Sequence, residues 1–214
     1  MVEYRIQDVP ESKFKDALKL MLEFYNTQEP MNEVLDKLWW ESVLKLNLSV
    51  GCLKIRPDGS EELVGVNLLY VQTPNNECPD ETEPDLAVVF YFDVFSTYNV
   101  DYYLTSDGII VHPDYRGRKI GEKMLRAREA ICRKHSIEVT SSVFSSISSN
   151  IIAERAGFKH VDRSVSWDDF RRNNPESVFA DIKDSCITCR LLKFKIPHND
   201  IKSLSDIRRM YFSE

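Results

Sequence analysis

The 214-residue chain contains no apolar run near the ~18 residues that a bilayer-spanning helix needs. Its first residues, MVEYRIQDVPESKFK, lack the basic-then-apolar order of a signal peptide, so the chain reads as soluble and cytoplasmic, with no membrane partner. A basic excess is missing too: 28 Lys and Arg stand against 34 Asp and Glu, a net charge of −6 with no long basic run. That balance argues against a nucleic-acid partner and makes cationic ligands easier to accommodate. The five cysteines, Cys52, Cys78, Cys132, Cys186 and Cys189, are odd in number and scattered, which suits a reducing compartment better than a disulfide framework. Cys186 and Cys189 have C-x-x-C spacing, but SCITCRLLKFKI reads as a strand, where residues three apart point to opposite faces. With no second cysteine pair in register, no metal site is expected. Neither an internal repeat nor a low-complexity linker marks a boundary, so residues 1–214 read as a single domain.

What the chain does have is 43% hydrophobic and 11% aromatic residues, enough for one substantial core. A short strand is expected at 2–8. A helix opened by Pro10 follows, with Phe14, Ala17, Leu18, Met21, Leu22 and Tyr25 in one stripe. Beyond the bend NTQEPMNE, Met31, Leu35, Leu38, Trp39 and Leu46 predict one face of a second helix. Strands at 48–56 and 62–71 form a hairpin across Pro57, Asp58 and Gly59. The acidic TPNNECPDETEPD reads as an exposed loop, and LAVVFYFDVF as helix or strand, with a lean toward helix. A β-α-β-α-β run then has strands at 103–112, 137–144 and 158–166, with helices at 117–134 and at 147–156, the latter stopped by Gly157. The last strand is 185–196.

HPDYRGRKIG, residues 112–121, lies where a strand, a tight turn and a helix N-terminus meet. The first turn of a helix offers N–H groups without partners inside the helix, at the positive end of its dipole, and glycine lets a ligand approach the backbone. Arg116, Arg118 and Lys119 add mobile positive charge. Neither nucleotide pattern fits: G-x-x-x-x-G-K-[ST] fails because three residues separate Gly117 from Gly121 and Glu122 follows, and G-x-G-x-x-G fails on spacing as well.

VHPDYRGRKIGEKML resembles the acetyl-coenzyme A signature [QR]-x-x-G-x-[GA] of the GNAT N-acetyltransferase superfamily, met by Arg116 and Gly121, with Lys119 where the middle glycine is expected. Lysine at that place is compatible with ordinary helical angles, where its ammonium adds to a phosphate contact. SIEVTSSVFSSISSNIIAERAGFKHV is similar to the next strand and helix of that superfamily, ending in R-x-G-F at Arg155 to Phe158. The resemblance implies an α/β acetyltransferase (GNAT) fold: a central mixed, mostly antiparallel twisted sheet, helices on both faces, and a splayed strand pair at the acetyl-CoA site. It also implies that Arg116, Gly117, Arg118, Lys119, Ile120 and Gly121 bind the coenzyme pyrophosphate. Ile110 and Val111 would face its pantetheine arm, and Asn150 joins the cofactor-binding set. His112 is a frequent passenger of the pattern rather than its base.

Acetyl transfer to an amine requires a neutral nitrogen, whereas a free alkylamine is mostly protonated near pH 7. A base must take that proton, and something must stabilise the departing thiolate. Glu29 before Pro30, between the first two helices, resembles the E-P motif of insect arylalkylamine N-acetyltransferases, whose glutamate is the general base; otherwise it merely precedes a helix-starting proline. Two serines of that family, four residues apart, fall on Ser145 and Ser149, for which helix capping is the alternative. No tyrosine lies between Ile137 and Phe158 to act as the superfamily's acid. The implied acceptor is a small primary amine, either an arylalkylamine such as dopamine, tyramine or serotonin, or an aliphatic amine such as agmatine or a polyamine. A catalytically weak acyl-CoA-binding module and a protein or peptide N-acetyltransferase are the alternatives.

Overall fold

The structure is a computed structural model that describes residues 3–25, 37–74, 93–176, 186–197 and 200–211. Seven strands form one sheet in the order β1-β2-β3-β4-β5-β7-β6. They are β1 (Glu3–Asp8), β2 (Val50–Ile55), β3 (Glu61–Gln72), β4 (Tyr103–Val111), β5 (Val139–Phe144), β6 (His160–Ser166) and β7 (Cys186–Lys193). All neighbours run antiparallel except β4 and β5, which are parallel and meet only at Leu104 and Thr140. Beyond that pair the two strands part, as expected of a mixed sheet with a splayed strand pair.

Side-chain alternation gives the sheet two apolar faces, and helices cover both. On one face α1 (Phe14–Leu20), a π-helical turn (Met21–Tyr25) and α2 (Lys37–Lys45) pack Ala17, Leu18, Met21, Trp40, Val43 and Leu44 against Leu53, Val66 and Leu68. On the other, α4 (Ile120–His135) and α7 (Leu204–Tyr211) pack Ile120, Met124, Ile131 and Ile207 against Val50, Val64, Leu69 and Leu104. Short α3 (Val94–Tyr98) precedes β4. α5 (Ile147–Ala156) leans on α4 through Ala153, Leu125 and Phe158.

Several expectations need correction. Leu38, expected on the buried stripe of the second helix, is 71% exposed, and Trp40, Val43 and Leu44 are buried instead. Leu22, near the start of the π-helical turn, is exposed, and Leu20 at the end of α1 is buried in its place. The helix expected from 117 starts at Ile120, since Gly117 and Lys119 hold left-handed backbone angles. Helix α6 (Trp167–Asn173) and α7 were not anticipated. α6 follows β6 without a loop, capped by Ser166, whose Oγ accepts from the Asp168 and Asp169 amides at 3.2 and 3.4 Å. Cys52, Cys132, Cys186 and Cys189 are free thiols, and the described residues hold no cluster of three or more His, Cys, Asp or Glu that could bind a metal. The bend with Glu29, Met31 and Leu35, and most of the acidic loop with LAVVFYF, lie outside the described residues.

Candidate active site

A cavity of about 590 Å³ opens where β4 and β5 part. One end is the turn Arg116–Gly121; the middle is the strand Ile109–Val111; the other end holds Tyr25, Asp107 and Gly108. β5 and the start of α5 supply Ser142 to Ser146, Ser148 and Ser149 along the opposite wall.

The turn has an unusual backbone. Gly117 has φ +74° and Lys119 φ +61°, so the chain winds through left-handed positions directly into the α4 N-terminus, whose first N–H groups have no partner inside the helix. An added Cβ at Gly117 would meet nothing within 4 Å, so the backbone angle alone calls for glycine there. Arg116 donates from Nε to the Val111 carbonyl at 3.1 Å, tying the turn to the end of β4. Of the residues assigned to the coenzyme, Ile110, Val111, Arg116, Gly117, Lys119, Ile120 and Gly121 line this cavity. Arg118 does not: its guanidinium lies over the rings of Tyr4 and Tyr115 at 5.9 and 6.0 Å. Asn150 is also set apart. Its amide donates to the Phe144 and Ser146 carbonyls, both at 3.0 Å, and accepts from Thr188 and from Arg190 at 3.1 Å, which spends the side chain on joining α5 to β5 and β7.

Lys119 departs from the sequence reading. It is the N-cap of α4 in the left-handed region, not an ordinary helical residue, and a non-glycine residue there carries a backbone cost of roughly 1–2 kcal/mol. Lys119→Gly relieves that cost but gains freedom in the unfolded chain, worth about 0.4–1 kcal/mol in the other direction. The expected result is therefore a Tm unchanged or raised by a few degrees. If the ammonium reaches a bound phosphate, acetyl-CoA affinity falls a few-fold and depends less steeply on salt, both readable by calorimetry. A lowered Tm would instead mean that the lysine side chain holds the turn together.

Ser145 and Ser149 both line the cavity. Ser145 is buried and its carbonyl accepts from Trp167 Nε1 at 3.3 Å. Ser149 closes a capping box: its amide donates to Ser146 Oγ at 3.1 Å, and its hydroxyl accepts from the Ser146 amide at 3.1 Å. The capping alternative thus holds for Ser149, on a hydroxyl that also borders the cleft. His112 is no part of the cavity lining; its ring stands edge-on to Phe24 at 4.7 Å, and Nδ1 accepts from the Asp114 amide.

Three residues at the floor and far end were not found from the sequence. β3 pairs Leu68 with Gly108 but Leu69 with Ser106, so Asp107 is the extra residue of a β-bulge. Gly108 allows the π-helical turn to come close: a Cβ there would lie 2.8 Å from Tyr25 Cζ and 2.9 Å from Met21 Cε. That approach brings Tyr25, expected only to pack, into the cavity wall. Asp107 accepts from Trp40 Nε1 at 2.6 Å; the Trp39 indole faces the same carboxyl outside hydrogen-bond geometry, leaving its buried Nε1 without a partner among the described residues. Burial raises the Asp107 pKa to about 6 despite the indoles.

Arg128 is buried in the fork itself. Nε donates to Asn67 Oδ1 at 3.0 Å, and Nη1 donates to Ser142 Oγ at 2.8 Å and Thr140 Oγ1 at 3.4 Å. Asn67 in turn donates to Ser106 Oγ at 2.6 Å and the Gly108 carbonyl at 2.7 Å, so one network fixes the bulge and spans the splay. Burial lowers the Arg128 pKa to about 9, still high enough for a cation at neutral pH. The D-G pair inside an apolar strand, and an arginine within the apolar stripe of α4, were the available signals.

The acetyltransferase (GNAT) family profile matches residues 15–158, a span that contains the turn, the splayed strands and the bulge. The chain belongs to the acetyltransferase (GNAT) family. Members of this family use acetyl-CoA, and the cavity of this GNAT acetyltransferase runs from the turn Arg116–Gly121 along the open edge of β4. Among curated proteins no sequence match was found. Among solved structures, the protein designated arylalkylamine N-acetyltransferase 7 of the yellow fever mosquito Aedes aegypti is 28% identical, with a TM-score of 0.74 over 89% of this chain and 87% of that one. Arylalkylamine N-acetyltransferase 2 of Aedes aegypti shares the fold at 16% identity, with a TM-score of 0.74 over 90% of this chain and all of its own. So does the Drosophila melanogaster polyamine N-acetyltransferase that forms N-acetylagmatine, at 14% identity and a TM-score of 0.68 over 90% of this chain and all of its own. No helix among the described residues is long and apolar enough to cross a membrane.

Proposed function

We propose that this GNAT acetyltransferase transfers acetyl from acetyl-CoA to a small primary amine by direct attack in a ternary complex. The observation that carries this reading is the continuity of one cavity, from an anion-binding turn at Arg116–Gly121, along β4, to a carboxylate at Asp107. Pyrophosphate at the turn directs the pantetheine arm along Ile110 and Val111, and so delivers the thioester toward the bulge. The acceptor enters from the opposite end. Its nitrogen gives up a proton to a base, attacks the thioester carbonyl carbon, and the carbon–sulfur bond breaks as the thiolate is protonated. Glu29 is the proposed base, on the strength of its E-P motif. Ser145 and Ser149 are proposed to act on the β5 side of the cleft, where they border the path of the departing sulfur. The acceptor class is an arylalkylamine such as tyramine, dopamine or serotonin, or an aliphatic amine such as agmatine or a polyamine; aromatic walls at Tyr25 suit the former and the acidic end suits both.

Free-thiol release from acetyl-CoA with tyramine, dopamine, serotonin, agmatine, putrescine and spermidine tests the reading. Amine-dependent release on at least one of them is expected. Acetyl-CoA binding without release on any amine or peptide would overturn it in favour of a coenzyme-binding module, and release on peptides alone would make the protein a peptide N-acetyltransferase.

A further inference from the structure

The catalytic reading leaves open what makes the far end of the cleft selective for an amine. Asp107 is a carboxylate ringed by Trp40, Trp39, Tyr25 and the bulge, with part of its surface open to the cavity. It accepts a hydrogen bond from Trp40, and no cationic side chain among the described residues acts on it. Withdrawing a carboxylate from water without a cation costs several kcal/mol. Orienting the Trp40 indole does not explain that cost, because a neutral asparagine accepts the same bond without a charge to desolvate. The bulge matters as well: an extra residue in one strand turns a side chain out of the regular ladder, and here the residue so placed is the aspartate. Arg128, the buried cation of the fork, is engaged by Asn67, Ser142 and Thr140 rather than by Asp107.

We propose that Asp107 is the ammonium-binding residue of the cleft: its carboxylate, backed by the Trp40 indole and flanked by Tyr25, holds the protonated head of the acceptor amine beside the bulge and sets the preference for cationic over neutral acceptors. The inference rests on the acetyltransferase reading above and names the group that recognises its second substrate. An ammonium supplies the missing countercharge, and the aromatic neighbours add a cation–π surface. The bound amine then releases its proton in the step assigned to Glu29, so Asp107 contributes mainly to binding and Glu29 mainly to turnover.

The test compares the full-length protein with Asp107→Asn, titrating tyramine, agmatine and the neutral tyramine analogue tyrosol into protein saturated with coenzyme A, which permits binding but no transfer. Wild type is expected to bind at least one of the two amines; the asparagine variant should bind it about 10²-fold more weakly, with tyrosol affinity changed less than about threefold. In turnover, KM for the amine should rise while kcat falls much less. Asparagine keeps the bond from Trp40, and circular dichroism with an unchanged or raised Tm confirms that the fold is intact; if it is not, Asp107→Ser, which removes the charge with less bulk, takes its place. Equal amine affinity in both proteins overturns the proposal, as does an equal loss for tyrosol, or a wild type that binds neither amine. Failure of the acetyltransferase reading looks different: the amine binds and Asp107 matters, yet acetyl-CoA releases no thiol.

Discussion

Glu29→Gln is expected to lower kcat/KM for the amine by about 10² to 10⁴ at neutral pH. A primary alkylamine with a pKa near that of lysine, ~10.4, is less than about one part in 10³ neutral at pH 7, so attack on the thioester waits on a proton acceptor. Glutamine keeps the size and hydrogen-bonding capacity of the side chain but does not accept the proton. The loss should fall on kcat, with amine KM little changed, and acetyl-CoA affinity in calorimetry should match wild type because the anion-binding turn is untouched. This pattern is the reverse of that expected for Asp107→Asn, which makes the pair of variants informative together. A Glu29→Gln enzyme with near wild-type kcat/KM would return Glu29 to the role of a residue preceding Pro30 and pass the proton to Asp107 or to water.

Asn67→Leu should be the most destabilising conservative change in the cleft, by roughly 3 kcal/mol. Asn67 is fully buried, and its amide joins Arg128 on α4 to Ser106 and Gly108 on β4. Leucine fills nearly the same volume yet leaves a buried guanidinium short of an acceptor and the bulge carbonyl short of a donor. Urea unfolding should report the loss, and Tm should fall by about 6–12 °C for a domain of this size. Adding Arg128→Met removes the stranded charge, so the double variant should recover part of the stability, a coupling that a purely steric effect would not produce. An Asn67→Leu protein within about 0.5 kcal/mol of wild type would show that the network contributes little.

Much of the architecture could be read in the residues because strong local signals agreed with the tertiary outcome. Gly157 ends α5 in a left-handed cap, Pro57 to Gly59 turn the β2–β3 hairpin, and apolar runs bounded by turn residues gave the limits of β2 and β3 within a few residues. Lys119 misled because nothing in a single lysine reveals the sign of its φ; only the closure of the turn onto α4 forces it. Leu38 misled because α2 is apolar on more than one side, and the stripe through Leu38 and Trp39 was chosen over the one through Trp40, Val43 and Leu44 that packing buries. Asp107 and Arg128 were illegible for a deeper reason: their hydrogen-bond partners come from distant parts of the chain, Trp40 for one and Asn67, Thr140 and Ser142 for the other. Their placement depends on a register shift and on strand divergence, which are properties of pairing rather than of composition. Asn150 shows the converse, a residue grouped with the coenzyme set by resemblance whose side chain packing has committed to the scaffold.

The meeting of β4 and β5 at Leu104 and Thr140 alone also bears on how the protein breathes. The sheet is mechanically two leaves, β1 to β4 and β5 with β7 and β6, held at a hinge and by the helices laid across them. Backbone groups of Gly108 to Val111 on the open side of β4 therefore have the solvation of an edge strand in the middle of a sheet. A coenzyme arm lying there, as proposed, would act as a surrogate strand and its binding energy would become folding energy: at a hundred times Kd the bound state would gain about 2.7 kcal/mol over the empty one. Amide exchange in the two leaves is then expected to be uncoupled in the empty protein and cooperative when acetyl-CoA is bound, which hydrogen exchange with and without the coenzyme checks.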